Sequence, residues 1–262
     1  MDRARIETDV DGLSGLTMDG EGHAIAVAER GTALVAIEDR AVRIPLEGVP
    51  AGIDTESIAW LGEDRFALGT ESMDESRHAD LVLVVERANG RARVVDRIEL
   101  PYSLLGITAE ENRGIEGLCF VADGGVLLAA MENVVERGGQ RFAPLGIRRG
   151  DRWTGRALVR LTSETGKLSA LDCRRDGDAI DVLAIERHYG VMRVLRFALR
   201  EGDTCEGDIE LTPRVIYDLA GQLDGDPNLE GLVRDGDELV LIVDNHHGRR
   251  TGPNEVLRLP LP

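Results

Sequence analysis

Aromatic residues make up only 3% of the sequence, so its core must be aliphatic, filled by Val, Leu, Ile and Ala. Lysine is nearly missing: Lys167 is the single one, and almost all positive charge is arginine. Positive charge is itself in deficit, with 31 basic residues against 48 acidic and a formal net charge of -17. Nucleic acid or an anionic membrane would be repelled by such a chain, whereas small cations would be attracted. No apolar run approaches a membrane span, and the start, Met1 to Glu7, lacks the apolar stretch of a signal peptide. The expectation is a cytoplasmic protein, or a periplasmic or secreted one if a leader has been removed. Cys119, Cys173 and Cys205 cannot all pair with one another and have no metal-type spacing, and Cys119, in an apolar strand, reads as a small buried hydrophobe. No G-x-S-x-G elbow, Gly-rich phosphate loop or Cys/His zinc pattern is present, which argues against α/β-hydrolase serine chemistry, nucleotide cradling and structural zinc. No Pro/Ser/Gly-rich tract, charge block or heptad run divides the chain, so residues 1–262 read as a single domain, expected to be monomeric.

What is present is a recurring strand-turn-strand pattern. Asn228-Leu229-Glu230-Gly231-Leu232 leads through the turn Arg234-Asp235-Gly236-Asp237 into Leu239-Val240-Leu241-Ile242-Val243 and stops at Asp244-Asn245. Asn112-Arg113-Gly114-Ile115-Glu116-Gly117 leads into Val126 to Met131 and stops at Glu132-Asn133. Asp54-Thr55-Glu56-Ser57-Ile58 leads into Phe66-Ala67-Leu68-Gly69 and stops at Thr70-Glu71, and Leu13-Ser14-Gly15-Leu16 leads into Ala24 to Ala28 and stops at Glu29-Arg30. A fifth, degenerate copy keeps only Asp176-Gly177-Asp178, Ala179 to Ile185 and Glu186-Arg187-His188. The markers Gly15, Ser57, Gly117, Gly177 and Gly231 are spaced by roughly 42, 60, 60 and 54 residues, the period of a four-stranded sheet repeated about an axis. This predicts an all-β fold, a β-propeller of five blades, with six possible if residues 199–221 supply extra strands. The ring would be closed by N- and C-terminal strands, Arg5 to Thr8 pairing with Glu255 to Leu259. The only helix candidate is Leu104 to Glu111, weakened by Gly106, and the Gly- and Arg-rich stretch 136–155 reads as a loop over one face.

In a propeller the first strand of each blade lines the central channel, so equivalent positions form a ring. Glu56, Glu116 and Glu230 share one such position, while Glu29, Glu71, Glu132, Glu186 and Asp244 share the strand-end position that should crowd one mouth. Carboxylates so close repel unless protonated, paired or neutralised by a cation. An all-oxygen set suits Ca²⁺ best, or Mg²⁺ with retained water, and Asn112, Asn133, Asn228 and Asn245 add neutral oxygens of the same hard type. The competing reading gives each inner Glu a structural duty, accepting hydrogen bonds from the next blade's backbone amides, with the following Gly relieving crowding.

His246 and His247, with Arg249 and Arg250 just beyond, form a cluster able to bind or protonate an anion, and Arg187-His188 and Arg30 end equivalent strands. Carboxylate-held metal with Arg and His at its rim is a workable phosphate-ester hydrolysis site, His246, His247 and Arg187 being the catalytic candidates. The expected substrate is a small anionic or ester molecule. Two rivals stand beside this reading: a binding propeller without catalysis, and a lactonase-type enzyme acting on a carbonyl ester.

Taken in order along the chain, Ser14-Gly15-Leu16, Asp54 to Ile58, Asn112 to Leu118, Glu186-Arg187, Asn228 to Leu232 and Asp244-Asn245 resemble the phytase-like family of bacterial propellers, labelled for esterase-like activity of phytase. The resemblance spans residues 11 to 261. It implies a propeller fold and a metal-dependent phosphoesterase. The chain departs from the pattern at Ser14, where later copies have Glu, and in the fourth copy, which lacks the Glu-Gly pair.

Overall fold

A computed structural model of the chain describes residues 1–38, 40–200, 208–223, 227–244 and 253–262. Cys205, Asn245, His246, His247, Arg249 and Arg250 lie outside these described residues. The chain opens with β1 (Asp2–Arg5) and then lays down four-stranded antiparallel meanders. The first is β2 (Leu13–Met18), β3 (Ala24–Ala28), β4 (Ala33–Ile37) and β5 (Ala41–Glu47); the second is β6 (Ile53–Gly62), β7 (Arg65–Ser72), β8 (Ala79–Ala88) and β9 (Arg91–Pro101). A single helical turn, α1 (Tyr102–Leu105), ends at Gly106 in the left-handed conformation, φ 67°, so the helix expected over 104–111 is cut short by the residue that weakened it.

The third meander holds β10 (Ile115–Val121), β11 (Val126–Met131), the short β12 (Val135–Arg137), β13 (Gln140–Arg149) and β14 (Arg152–Arg160). The stretch 136–155 is therefore strand rather than loop. Its Gly and Arg content masks a buried Phe142, Ala143, Leu145 and Ile147 that hold β13 in the core. The fourth meander is β15 (Lys167–Asp176), β16 (Ala179–His188) and β17 (Val191–Arg200). After it β18 (Ile209–Leu211) joins the third sheet alongside β14, and β19 (Arg214–Asp218) completes the fourth. The last sheet is β20 (Asn228–Asp235), β21 (Glu238–Asp244) and β22 (Glu255–Pro260), with β1 antiparallel to β22, Asp2 opposite Arg258. Closure by strands from both ends of the chain is as expected, a few residues nearer the start than Arg5 to Thr8.

The first strands pack in a ring: β2 on β6, β6 on β10, β10 on β15, β15 on β20, and β20 back on β2. Five apolar clusters, one at each junction between successive sheets, weld the ring. Second strands such as β3 and β11, sandwiched between neighbouring sheets on both faces, are buried throughout and read as unbroken aliphatic runs. Outer strands such as β9 are mostly exposed. Radial sheets about one axis, all-β, make the molecule a β-propeller.

Every inner strand carries a β-bulge: the pairing with its neighbour skips Gly15, Glu56, Glu116, Ser169 and Glu230 in turn. A bulge re-aims the side chain it carries. The fourth unit thus has Ser169-Ala170 where the second, third and last have Glu-Ser or Glu-Gly, so its front half carries no acid, and Gly177 lies in the following turn and not at the bulge. In the first unit the bulged residue is Gly15, one place beyond Ser14. Gly117 and Gly231 do relieve crowding: a Cβ on Gly117 would lie 2.8 Å from Leu171 Cγ, and one on Gly231 2.7 Å from Leu16 Cβ.

At the end of the ring where the inner hairpins turn, Cys119 and Cys173 form a disulfide between β10 and β15. Cys119 is buried as expected, but as half of a covalent cross-link rather than a free thiol. Beside it Arg234 pairs with Asp172 at 2.7 Å and Asp181 at 2.8 Å.

Candidate functional site

The ends of the inner strands opposite these hairpin turns surround a cavity of about 660 Å³. Its wall includes Glu56, Glu116 and Glu230 from the bulges, Glu71 from β7, Glu132 just past β11, and Glu29, Asp54, Asn112 and Asn228. The recurrent acids therefore converge on the axis instead of scattering over the exterior. Glu56, Glu71, Glu116 and Glu230 are all less than 8% exposed. Asn112 reaches the wall with a left-handed backbone, φ 54°. The loop around it is clamped by Arg77, which donates through Nη2 to the Glu110 carbonyl at 2.9 Å and to that of Arg113 at 2.5 Å.

Three fates befall the acids. Asp244 and Glu230 are tied together by Asn228, whose Nδ2 donates to Glu230 Oε1 at 2.6 Å and Asp244 Oδ2 at 3.0 Å, and Glu230 also pairs with Arg187. Glu132 pairs with Lys167 Nζ at 3.0 Å. The side-chain carboxyls of Glu56, Glu71 and Glu116 form no hydrogen bond or salt bridge with any described residue. The structural duty considered for the inner glutamates is thus not performed by Glu56 and Glu116. Hydroxyls do it instead: Ser14 Oγ donates to the Glu56 carbonyl at 2.6 Å, Ser57 Oγ to that of Ile115 at 2.7 Å, and Ser169 Oγ to that of Leu229 at 2.9 Å, each reaching the next inner strand.

Burial, then mutual repulsion, pushes the acids up. Glu29 rises to about 7, by burial and the charges of Asp244 and Asp54; Glu71 to about 8, by burial and Glu132. Glu230 reaches about 7, burial outweighing the opposing pull of Arg187. Glu56 and Glu116 are held well above the ordinary carboxylate range, by burial first and by Glu71 and Glu132 respectively.

Glu186 departs from the expected arrangement. It is fully buried away from the cavity, accepting hydrogen bonds from the backbone amides and hydroxyls of Thr162 and Ser163. The register explains why. Glu71 pairs with Asp54 and Asp244 with Asn228, in each case two places before the bulged residue, whereas Glu186 pairs with Leu168, one place before Ser169. A one-residue slip turns a side chain to the opposite face. Two places before Ser169 stands Lys167, paired with Arg187, so the fourth unit puts a cationic pair where the second has Asp54–Glu71 and the last Asn228–Asp244. Asn133, too, turns from the axis, its Nδ2 donating to Glu110 Oε1 at 3.0 Å. Lys167, the sole lysine, is the site residue the sequence reading passed over.

Whether the wall suits a divalent cation can be judged from its donors: carboxylate and amide oxygens, with unpartnered Glu56 and Glu116 at the centre. Among the described residues, the group of three acid or imidazole ligands with atoms within 4.8 Å of one another is elsewhere, Asp19, Glu21 and His23 at the other end of β2. There Asp19 is already taken by Arg87 and by the amides of Glu21 and His23. The cavity acids do not form so tight a group, and fit an oxygen-coordinated ion that draws them in or keeps water.

Fold and cavity together define a β-propeller with an acid-lined axial site. The chain belongs to the phytase-like family, described as esterase-like activity of phytase, whose model matches residues 8–247. No curated protein matches it in sequence. In structure it is similar to PQQ-bound aldose sugar dehydrogenase from Streptomyces coelicolor, at 11% identity and TM-score 0.54, with 99% of this chain and 98% of that one covered. It is similar to a putative glucose dehydrogenase from Thermus thermophilus, at 12% identity and TM-score 0.53, covering 98% and 99%. A hypothetical protein from Leishmania major gives 10% identity and TM-score 0.56, covering 100% and 90%. At such identities these likenesses concern the fold. No described helix is long and apolar enough to cross a membrane.

Proposed function

We propose that the cavity binds a divalent cation, Ca²⁺ before Mg²⁺, and that the protein is a metal-dependent phosphoric ester hydrolase. The observation that carries this reading is the pair Glu56 and Glu116: buried carboxylates on the axis, without a hydrogen bond or salt bridge among the described residues, facing further acids. Burying such a charge unpaired is costly, and a cation is the simplest compensation. Glu56, Glu71 and Glu116 would hold it, with Glu29, Asp54, Glu132, Glu230, Asp244, Asn112 and Asn228 in or behind the same wall. When bound, such an ion polarises a phosphoryl oxygen and lowers the pKa of water. Arg187, oriented by Glu230, supplies fixed positive charge for the oxygens on which negative charge builds. His188, on the same wall, is held below the usual imidazole range by burial and by Lys167, and is the described histidine placed to exchange a proton there. His246 and His247 remain catalytic candidates on sequence grounds alone.

The test pairs melting temperature with turnover of an aryl phosphate, each with and without Ca²⁺, in the native protein and in Glu116→Gln. Ca²⁺ at a hundred times its Kd should stabilise the fold by about 2.7 kcal/mol and switch on turnover, and Glu116→Gln should lose both while folding normally. No Ca²⁺-dependent rise and no turnover would overturn the proposal. A rise without hydrolysis of phosphate, aryl acetate or lactone would leave a cation-binding propeller without catalysis, and acetate or lactone turnover alone would make it a carbonyl esterase.

A further inference from the structure

The cavity is acidic on one side only. Where the second, third and last sheets bring Asp54, Glu71, Glu132 and Glu230 to the cavity wall, the fourth brings the cross-strand pair Lys167 and Arg187. The only lysine of the chain stands at this position, beside Arg187, on a wall whose other charged residues are acids and Arg30. An ammonium carries three donors and a guanidinium five, more than one carboxylate each can take. The same sheet continues the wall outward: His188 ends β16, and Tyr189, in the turn to β17, stands 84% exposed at the lip. Its ring meets His188 edge-on, with centroids 4.3 Å apart. Val191, Met192 and Pro227 lie beside it on the cavity wall. In a chain with so few aromatics, an exposed ring thus stands next to a half-buried cationic pair.

We infer that the fourth sheet is the recognition wall of the cavity, selecting phosphate monoesters of ring compounds, with Lys167 and Arg187 on the phosphoryl group and Tyr189 against the ring. This rests on the phosphoester reading of the same cavity and adds the class of substrate. The acids of the opposite wall are left to the cation, so the two halves of the site are separable by experiment.

Having one lysine makes the test direct. Reductive methylation with ¹³C-formaldehyde labels only Lys167 and the terminal amine and preserves both charges. The two signals are assigned by comparison with Lys167→Gln and followed during titration with phenyl phosphate, inorganic phosphate and phenol, with and without Ca²⁺. Calorimetry on unlabelled protein gives the affinities. The Lys167 signal should move with phenyl phosphate, and Lys167→Gln should weaken that ligand by about tenfold or more, as loss of a hydrogen bond to a charged group does. Tyr189→Ala should weaken phenyl phosphate by about fivefold, the size of a stacking contribution, and leave inorganic phosphate unchanged. A Lys167 signal indifferent to phenyl phosphate, or a preference for phenyl over inorganic phosphate that survives Tyr189→Ala, overturns the inference. If the Lys167 signal responds but Ca²⁺ produces no thermal shift, the recognition wall stands and the cation reading falls. A Ca²⁺ shift with a silent lysine is the reverse case.

Discussion

Glu116 illustrates how little chemistry a side chain needs before its position becomes informative. It is 6% exposed and sits among like charges without a salt bridge among the described residues. Such a group titrates far from its unfolded value, and the sign of the consequence can be worked out. With folded values raised to about 7 for Glu29 and Glu230 and about 8 for Glu71, the unfolded chain loses these protons near 4.5 while the folded chain keeps them. From pH 4.5 upward the folded state therefore binds more protons, and its stability falls until about pH 8. Metal-free protein should melt several degrees lower at pH 8.5 than at pH 5, measured calorimetrically in the presence of a chelator, and Ca²⁺ should help most at the alkaline end. A flat or rising profile across that window would contradict the carboxylate cluster. The convergence of Glu56, Glu116 and Glu230 was legible because an acid followed by a small residue opens three inner strands. Their lack of hydrogen-bond partners was not, since sequence carries no record of which oxygen a neighbouring amide chooses.

At the scale of the element, the inner strands matter through their bulges. Each inserts one residue, and the faces on either side of it depend on where that residue falls. Reading strand ends without it assigned Glu186 to the mouth and left Lys167 unused, although the two are separated from their proper roles by a single place in the register. The same blindness made residues 136–155 a loop, because Gly and Arg concealed the alternating buried positions of β13. Between strands, the links are short hydroxyls rather than the conspicuous acids. Ser57→Ala would leave the Ile115 carbonyl buried without its 2.7 Å donor, a loss of about 1–3 kcal/mol. Denaturant unfolding should register it without a change in Ca²⁺ affinity, which would separate the welding of sheets from the holding of an ion.

For the whole molecule, the ring is held in two different ways. Apolar clusters join all neighbouring sheets, while one junction, between the third and fourth, also carries the Cys119–Cys173 bond across 54 residues of sequence. That bond could not be read from three unpatterned cysteines, because propeller geometry brings its halves together only after the sheets are in place. Closing a loop of that length contributes roughly 4 kcal/mol in the chain-entropy account. Cys119→Ser should therefore lower the melting temperature by several degrees, and adding a dithiol should lower that of the native protein but not of the variant. Equal sensitivity of both to reductant would argue against the cross-link.

The opposite junction of the circle is more delicate. Four residues at the start of the chain lie antiparallel to β22, with Asp2 beside Arg258, so both termini leave from the same corner of one sheet. A force pulling the two termini apart would load those backbone hydrogen bonds one after another, like teeth of a zip, instead of shearing them all together. Under tension the circle would part at this seam, peeling the last sheet away while the covalently pinned half still held its shape.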